Sequence, residues 1–392
     1  MKTTWYLSPW FIATVLTLIY ALTVVIVNDD ALALVTVGTR FSDGISEEAG
    51  GTEGYDGQFV YFIARDPAKA DVFIANGGDY PAYRYQRILL PALGRLFSLG
   101  QADLIPWVLL LINLVAVAGG TAALESLLTA KGVSRWYALG YSLSLAIMGS
   151  ARLSLPEPLA YGLVLGVMLL INREKWLWGA VVLAFAGLAK ETTLVFGAGY
   201  GLYLLYQRRW MLAGMFGMIT LLPFIVWQLM LHERFGSFGI GSGGAGATSF
   251  TPIPFGGVIE IVVFVVKSAL EIINEGEVSP LAVIFRGLIA IMIFAVVLVP
   301  FVIYPTIWGL QRAWTALRSK SDESPLVFLL LINCVVMLFV PFSTYREVLG
   351  ILRFIAGLEI VVILYAAQLG SKRALRYSTF WALTIIFLIG SG

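Results

Sequence analysis

The sequence predicts an all-α integral membrane protein of about 11 transmembrane helices, with a long first extracytoplasmic loop carrying amphipathic surface helices. Three observations predict it. Of 392 residues, 59% are hydrophobic and 13% charged, against about 25% charged in an ordinary soluble domain. Apolar runs long enough to cross a hydrocarbon core recur along the whole chain. Short Lys/Arg clusters interrupt those runs, and the positive-inside rule turns them into a topology.

Taken in order, Pro9–Val27 opens the series. It exceeds the roughly 7–15 residues of a signal-peptide core, so a retained helix is expected. Leu104–Leu128, Met211–Leu231, Leu281–Leu310, Leu326–Pro341 and Phe354–Leu369 follow, and the short run Tyr377–Ile389 ends the chain. Two stretches need a break. Trp136–Asn172 is too long for one crossing and is interrupted between Gly149 and Pro158, and Trp176–Tyr206 is interrupted at Lys190-Glu191. Basic clusters stand at Lys131/Arg135, Arg173/Lys175, Arg208/Arg209, Arg312/Arg318/Lys320 and Lys372/Arg373/Arg376. If all face the cytoplasm, Arg152–Pro158 and Lys190–Thr193 are the outer tips of two tight hairpins with short arms. A single helix from Trp176 to Tyr206 would instead put Lys175 and Arg208 on opposite sides. Gly257–Ile273 carries Glu260, Lys267 and Glu271, and counting it as a crossing would put Arg312–Lys320 outside. It is read as an amphipathic helix in the outer interface.

The expected layout is one transmembrane domain over 1–392, N-terminus in and C-terminus out. Residues 29–103 form the first extracytoplasmic loop, and 232–280 a second large one with a Gly-rich segment. The expected location is the bacterial inner (plasma) membrane, with the working side extracytoplasmic. Only Glu125, Glu174, Asp322 and Glu323 of the 24 acids fall on the cytoplasmic side.

Composition also excludes functions. A net charge of +2 with no basic run gives nothing to follow a nucleic-acid backbone. A lone cysteine, Cys334, excludes an intrachain disulfide and a multi-cysteine metal site, and a lone histidine, His232, excludes a histidine ligand cluster.

The first loop is neither low-complexity nor poor in aromatics, and apolar-periodic pieces at Ala31–Phe41, Gln58–Ala64 and Tyr85–Leu99 read as surface helices. Gly54-Tyr55-Asp56-Gly57-Gln58-Phe59 holds an acid just before a helix. Asp56 is either an N-cap or a carboxylate free to act as a base. Tyr83-Arg84-Tyr85-Gln86-Arg87-Ile88-Leu89 holds two arginines three apart, expected on one helix face. They suit a phosphate, or else lipid headgroups and loop acids. Arg152 and Glu157 flank one hairpin tip, Lys190 and Glu191 form the other, and Arg346, Glu347 and Arg353 precede the span after Pro341. Each set is an ion pair, an anchor or a ligand contact, and all converge on one side. The Gly239–Ala247 run is a slack connector or a lid that orders over substrate.

In these blocks, and in the order of first helix, long outer loop and many short-hairpin spans, the chain resembles the GT-C superfamily of membrane glycosyltransferases. Bacterial members linked to cell-surface glycopolymers look similar in these blocks. The motif likeness is confined to residues 54–91. The resemblance implies an inverting glycosyltransferase that moves a sugar from a polyprenyl-phosphate donor to an extracytoplasmic glycan, lipid or protein acceptor. It implies Asp56 as catalytic base, with Asp43 the competitor in the same loop. Tyr55, Arg84, Arg87, Arg152, Glu157, Lys190, Glu191, Arg346 and Arg353 become candidate substrate-binding residues. Some members carry paired acids for a divalent metal. Asp56 has no adjacent acid, and the paired Glu47-Glu48 lies in a different part of the loop, so a divalent metal is allowed but not indicated, and no other cofactor is expected. Expected partners are the lipid-linked donor, the acceptor and membrane lipids. Two other classes fit the composition: a transporter or flippase of lipid-linked glycans, and a non-catalytic scaffold of glycopolymer assembly. A transporter favours broken helices matched between two halves, and no halves are evident.

Overall fold

A computed structural model describes residues 8–45, 50–241, 247–275 and 279–389. In chain order the helices are α1 (Pro9–Asn28), α2 (Thr39–Ser42), α3 (Gly57–Arg65), α4 (Ala70–Asn76), α5 (Pro81–Tyr85), α6 (Leu89–Ser98), α7 (Ile105–Ala130), α8 (Leu139–Ser142), α9 (Ser150–Arg152), α10 (Glu157–Asn172) and α11 (Trp176–Ala189). There follow α12 (Leu194–Tyr206), α13 (Trp210–Phe235), α14 (Gly256–Glu275), α15 (Pro280–Leu298), α16 (Tyr304–Ser319), α17 (Pro325–Leu338), α18 (Phe342–Arg346), α19 (Val348–Phe354), α20 (Ala356–Gln368), α21 (Lys372–Ser378) and α22 (Ile386–Ile389). No strand occurs among the described residues. Proline stands in the first turn of α1, α5, α7, α10, α15 and α17, where its missing N–H costs nothing.

Four described helices are long and apolar enough to cross a membrane: α1, α7, α13 and the continuous Pro280–Ser319 helix that joins α15 and α16. The pair α19 and α20, bent by 45°, makes a fifth if counted as one span. The remaining apolar helices are shorter, so length and composition do not reproduce about eleven crossings. The segment Trp136–Asn172 departs most from a simple hairpin. Its first arm is a 3-10 turn at Arg135–Ala138, α8, a π-helical turn at Leu145–Gly149 and α9. Ser144 is extended (ψ 157°), and its hydroxyl lies 2.8 Å from Tyr141 O at the end of α8 and 2.9 Å from the Glu359 carboxylate of α20.

The Trp176–Tyr206 segment is an antiparallel hairpin. Lys190 is extended (φ −155°, ψ 120°), a conformation that ends α11. Trp176 at the start of α11 then stacks on Tyr203 near the end of α12, ring centroids 5.9 Å apart. The 14-residue α11 is about 21 Å long and the 26-residue α13 about 39 Å. Both start at the same end of the bundle, where Trp176 meets Phe216 at 6.2 Å. Because Phe216 already lies six residues into α13, the overshoot of α13 past α11 at the other end is roughly 9 Å. That end is the site end. The opposite end is tied by Trp10 N–H to Glu125 (2.6 Å), by Lys131 to Gln368 (2.8 Å), and by Gln368 to Asp322 and Ser324.

The first loop fills the space left by the short arms. It has its own core of Val35, Phe41, Phe59, Phe62, Ile74 and Tyr85, closed by Ile105 and Leu109 of α7 and Leu231 of α13. Each interior of such a ring or aliphatic chain removed from water contributes about 1.5–3 kcal/mol. The C-terminal end of α13 holds α5 directly: the Trp227 indole donates to Tyr85 O (2.9 Å), and Tyr85 packs on Phe235 at 5.2 Å. Several sequence boundaries move. The Ala31–Phe41 piece is a 3-10 turn followed by α2, and the Tyr85–Leu99 piece is α5 and α6 with a turn between them. Helix α13 runs through His232, Glu233 and Arg234, and α14 occupies much of 232–280, packed along α15 and beginning against α18. Glu47, Glu48 and the glycine-rich residues 242–246 lie outside the described residues.

Four residues of the Gly-Tyr-Asp-Gly-Gln-Phe block shape the start of α3. Gly54 has φ +71°. Gly57 lets α3 start against the break before α10, since a Cβ there would lie 2.2 Å from Leu153 O and 3.0 Å from Val35 O. Gln58 is buried and pins the loop, accepting from Gly38 N–H (3.0 Å) and donating to Glu53 O (3.0 Å). Phe59 meets Phe41 edge-on at 4.9 Å. Gly57→Ala is expected to destabilise by about 2 kcal/mol or more, because both obstacles are backbone. The check is a lowered midpoint of thermal unfolding in detergent against wild type.

Candidate functional site

At the site end, five elements bring charged groups together. Asp56 stands at the N-terminal position of α3. It makes no capping bond, which removes the N-cap reading; its carboxylate points to two arginines instead. Oδ1 accepts from Arg84 Nη1 at 2.8 Å and Oδ2 from Arg353 Nη2 at 2.9 Å. Arg84 lies near the end of α5 and Arg353 in α19, 297 residues from Asp56. Arg84 also reaches Asp79 through Nε (2.8 Å) and Nη2 (2.6 Å), with its guanidinium 4.0 Å from the centre of the Phe59 ring. Charge-assisted bonds and the ring face together fix one orientation of that planar group.

Arg87 lies in the turn between α5 and α6, because α5 ends at Tyr85; the two arginines do not share a helix face, yet both enter the cluster. Arg87 grips Glu191 bidentately, at 2.9 Å through Nε and 2.7 Å through Nη2, and Nη2 also meets the Tyr83 hydroxyl at 3.2 Å. Lys190 donates to Glu157 Oε1 at 2.6 Å, both side chains almost fully buried. Arg353 Nε comes within 3.8 Å of the same oxygen. Glu157 Oε2 has no hydrogen-bond partner among the described residues. Tyr55 closes the edge: its ring lies 5.1 Å from the Arg353 guanidinium, and its hydroxyl donates to Glu347 at 3.0 Å.

Seven charged candidates thus meet in one place: Asp56, Arg84, Arg87, Glu157, Lys190, Glu191 and Arg353, with Tyr55 beside them. Three others do not join. Asp43 follows α2, exposed, and accepts from Ser42 Oγ at 2.9 Å. Arg346 is exposed at the end of α18 with its guanidinium 5.7 Å from the Phe342 ring. Arg152 donates to Thr36 Oγ1 at 3.1 Å. Sequence reasoning missed Asp79, Phe59 and Tyr83, and passed over Glu347. The signal for Asp79 is its place just before Tyr80-Pro81, a helix start, five residues ahead of Arg84.

Burial alone would raise the Asp56 carboxyl. Arg84 and Arg353 outweigh it and hold the group far below the usual carboxylate range. In this arrangement Asp56 is a firm ion-pair acceptor and a weak proton acceptor. The cluster is also charge-matched: Arg84, Arg87, Lys190 and Arg353 face Asp56, Asp79, Glu157 and Glu191. Among the described residues no group of three or more His, Cys, Asp or Glu is arranged to hold a metal ion.

Two cavities adjoin here. The charged one, lined by Asp56, Arg84, Arg87, Glu157 and Arg353, encloses about 20 Å³, room for about one water. The second, about 510 Å³, is an apolar groove between α3 and α6, lined by Ile63, Ile88, Pro91, Leu96 and Leu99. Ile63 and Pro91 line both. Arg95 borders the groove, but its Nη1 is bound to Ala64 O (3.2 Å) and Arg65 O (2.6 Å) at the end of α3.

Two outcomes are expected. Lys190→Met strands the Glu157 charge and costs about 3–5 kcal/mol of stability, whereas Lys190→Met with Glu157→Leu costs less than Lys190→Met alone; denaturation of both variants in detergent checks the order. Because the folded Asp56 carboxyl is depressed, its pairs contribute fully above the pKa of a free aspartate, about 4, and are lost only as pH falls below that. The drop in thermal stability between wild type and Asp56→Asn should therefore be constant from pH 8 to pH 5 and shrink below about pH 4. No family model, curated protein or solved structure matches this chain.

Proposed function

We propose that this chain is an inverting glycosyltransferase of GT-C type, taking a sugar from a polyprenyl-phosphate donor and passing it to an extracytoplasmic glycan, lipid or protein acceptor. The observation that carries the reading is the adjacency of the two cavities, which share Ile63 and Pro91 in their linings. A cavity lined by the guanidinium groups of Arg84, Arg87 and Arg353 lies beside an apolar groove, with Ile63 and Pro91 between them. An anionic head on a long apolar tail has that same division.

Depth supports the same ligand. If the chain crosses the bilayer about eleven times with its site end extracytoplasmic, the 21 Å arm α11 ends roughly 10 Å inside a hydrocarbon core of about 30 Å. Helix α6 and the residue that ends it then expose Leu96, Phe97 and Leu99 to lipid tails beside the groove. A lipid-linked phosphate reaches such a site sideways, without leaving the membrane. The placement in a bacterial plasma membrane belongs to this reading.

In the reaction the acceptor oxygen bonds to the anomeric carbon as the bond from that carbon to the phosphate oxygen breaks. The electron pair leaves on the phosphate, and the hydroxyl proton passes to Asp56. One displacement inverts the anomeric centre. Arginines in a water-poor pocket stabilise the charge gathering on the departing phosphate. The spare oxygen of Glu157 suits a sugar or acceptor hydroxyl.

The test uses purified protein and a panel of polyprenyl-phosphate sugars, comparing wild type with Asp56→Asn. Binding by both proteins, with turnover at least about 100-fold lower in the variant and an inverted product, is the expected outcome. Binding without turnover by wild type turns the reading toward a flippase or a scaffold. No binding across the panel counts against any lipid-phosphate ligand.

A further inference from the structure

Not every cation of the cluster is equally available to an anion. Arg87 is held by both oxygens of Glu191, and Lys190 by Glu157 in a pair with almost no exposure. Arg84 and Arg353 differ, because a single carboxylate bridges them. Of the four acids, the Asp56 side chain is 27% exposed, against 3% for Asp79, 2% for Glu157 and 17% for Glu191. Pulling a cation away from Asp79 or Glu157 leaves a buried charge unmatched, which is strongly unfavourable. Pulling one from Asp56 leaves a carboxylate at a pocket edge that solvent or a ligand hydroxyl can satisfy. Nor is there space for a ligand as the cluster stands, since about 20 Å³ accommodates roughly one water and not a phosphate group.

We infer that Asp56 is a place-holder for the ligand phosphate: in the ligand-free protein its carboxylate occupies the gap between Arg84 and Arg353, and a phosphate binds there by exchange with it. The inference rests on the lipid-phosphate reading for the nature of the tail, while the exchange itself concerns only the anionic head. The incoming phosphate oxygens take the two guanidinium groups. Arg84 keeps Asp79, and Arg353 keeps its contact with the Tyr55 ring, so both stay aimed at the gap. Asp56 leaves still ionised and loses the two neighbours that make it a weak proton acceptor. The carboxylate is thereby switched from ion-pair partner to base by the arrival of the ligand it is to act beside. Without a phosphate in place it stays locked, so water or a lone acceptor meets no active base.

The exchange makes a prediction opposite to that of a residue that simply helps hold the ligand. Removing the Asp56 charge removes a competitor, so Asp56→Asn must bind phosphate more tightly than wild type, by about tenfold or more. Asp79→Asn, which alters the same arginine without emptying the gap, must not. Binding is measured on the full chain in detergent with inorganic phosphate and with farnesyl phosphate, by calorimetry and by the rise in unfolding temperature at saturation. Tightening by Asp56→Asn with either probe supports the exchange; equal or weaker binding overturns it. Tightening toward inorganic phosphate with no added affinity for farnesyl phosphate leaves the exchange standing and removes the lipid reading. If Asp56→Asn does not yield folded protein, the wild-type complex with farnesyl phosphate decides by electron microscopy. A phosphate between Arg84 and Arg353 with Asp56 displaced supports the exchange, and a phosphate bound while both Asp56 pairs persist overturns it.

Discussion

The site end of this protein is organised by one carboxylate between two guanidinium groups. Asp56 comes from the first loop, Arg84 from a short helix later in that loop, and Arg353 from a helix near the far end of the chain. Without that bridge the loop has apolar packing to α7 and α13, and its polar tie to α19 is reduced to the Tyr55–Glu347 bond at the start of that helix. With it, the loop is registered on the bundle to the precision of a hydrogen bond. Gly57 and Gln58 serve the same registration from below. One permits the close approach to Leu153, and the other fixes the strap from Gly38 to Glu53.

Helix length does the rest. Short arms in α10, α11 and α12 bring Glu157, Lys190 and Glu191 to a level that α7 and α13 pass by, and the loop helices settle into the step so formed. Polar groups at that level lie among apolar neighbours, where an unmatched charge is expensive and a matched one must be matched closely. The pairing seen is of that kind: two forked arginine grips, one buried lysine–glutamate contact, and an aromatic ring against each of Arg84, Arg87 and Arg353.

Much of this was legible in the sequence, for identifiable reasons. Apolar runs and their basic punctuation depend on local composition, so the long helices and the turn at Lys190 could be read directly. The charged residues at helix ends could be gathered on one side by topology alone, and all but Asp43, Arg152 and Arg346 do meet. What could not be read is pairing. Nothing local says that Arg353 rather than Arg346 turns inward. That depends on α19 presenting its last turn to α3 while α18 ends in the open. The short pieces between Arg135 and Arg152 were illegible for a related reason. Ser144 leaves helical geometry to meet Glu359, a partner 215 residues away. Asp79 was missed because its role is visible only once α5 folds Arg84 back over Phe59.

A recessed anion site faces a constraint that an exposed one does not. In water, an empty arginine pair is solvated and waits for its ligand at little cost. In an apolar layer the same pair left empty would be too costly to hold, so the protein must supply its own counter-charges, and every ligand must compete with them. Affinity for the ligand is then a difference between two sets of ion pairs, and can be set by the choice of resident acid. A deeply buried acid makes a stable but closed site. A partly exposed one, held at two points by groups that each retain a second contact, makes a site that can open. In this chain the acid with those properties is also the one whose basicity is suppressed by the pairing, so in the proposed exchange opening the site and freeing a proton acceptor are the same event.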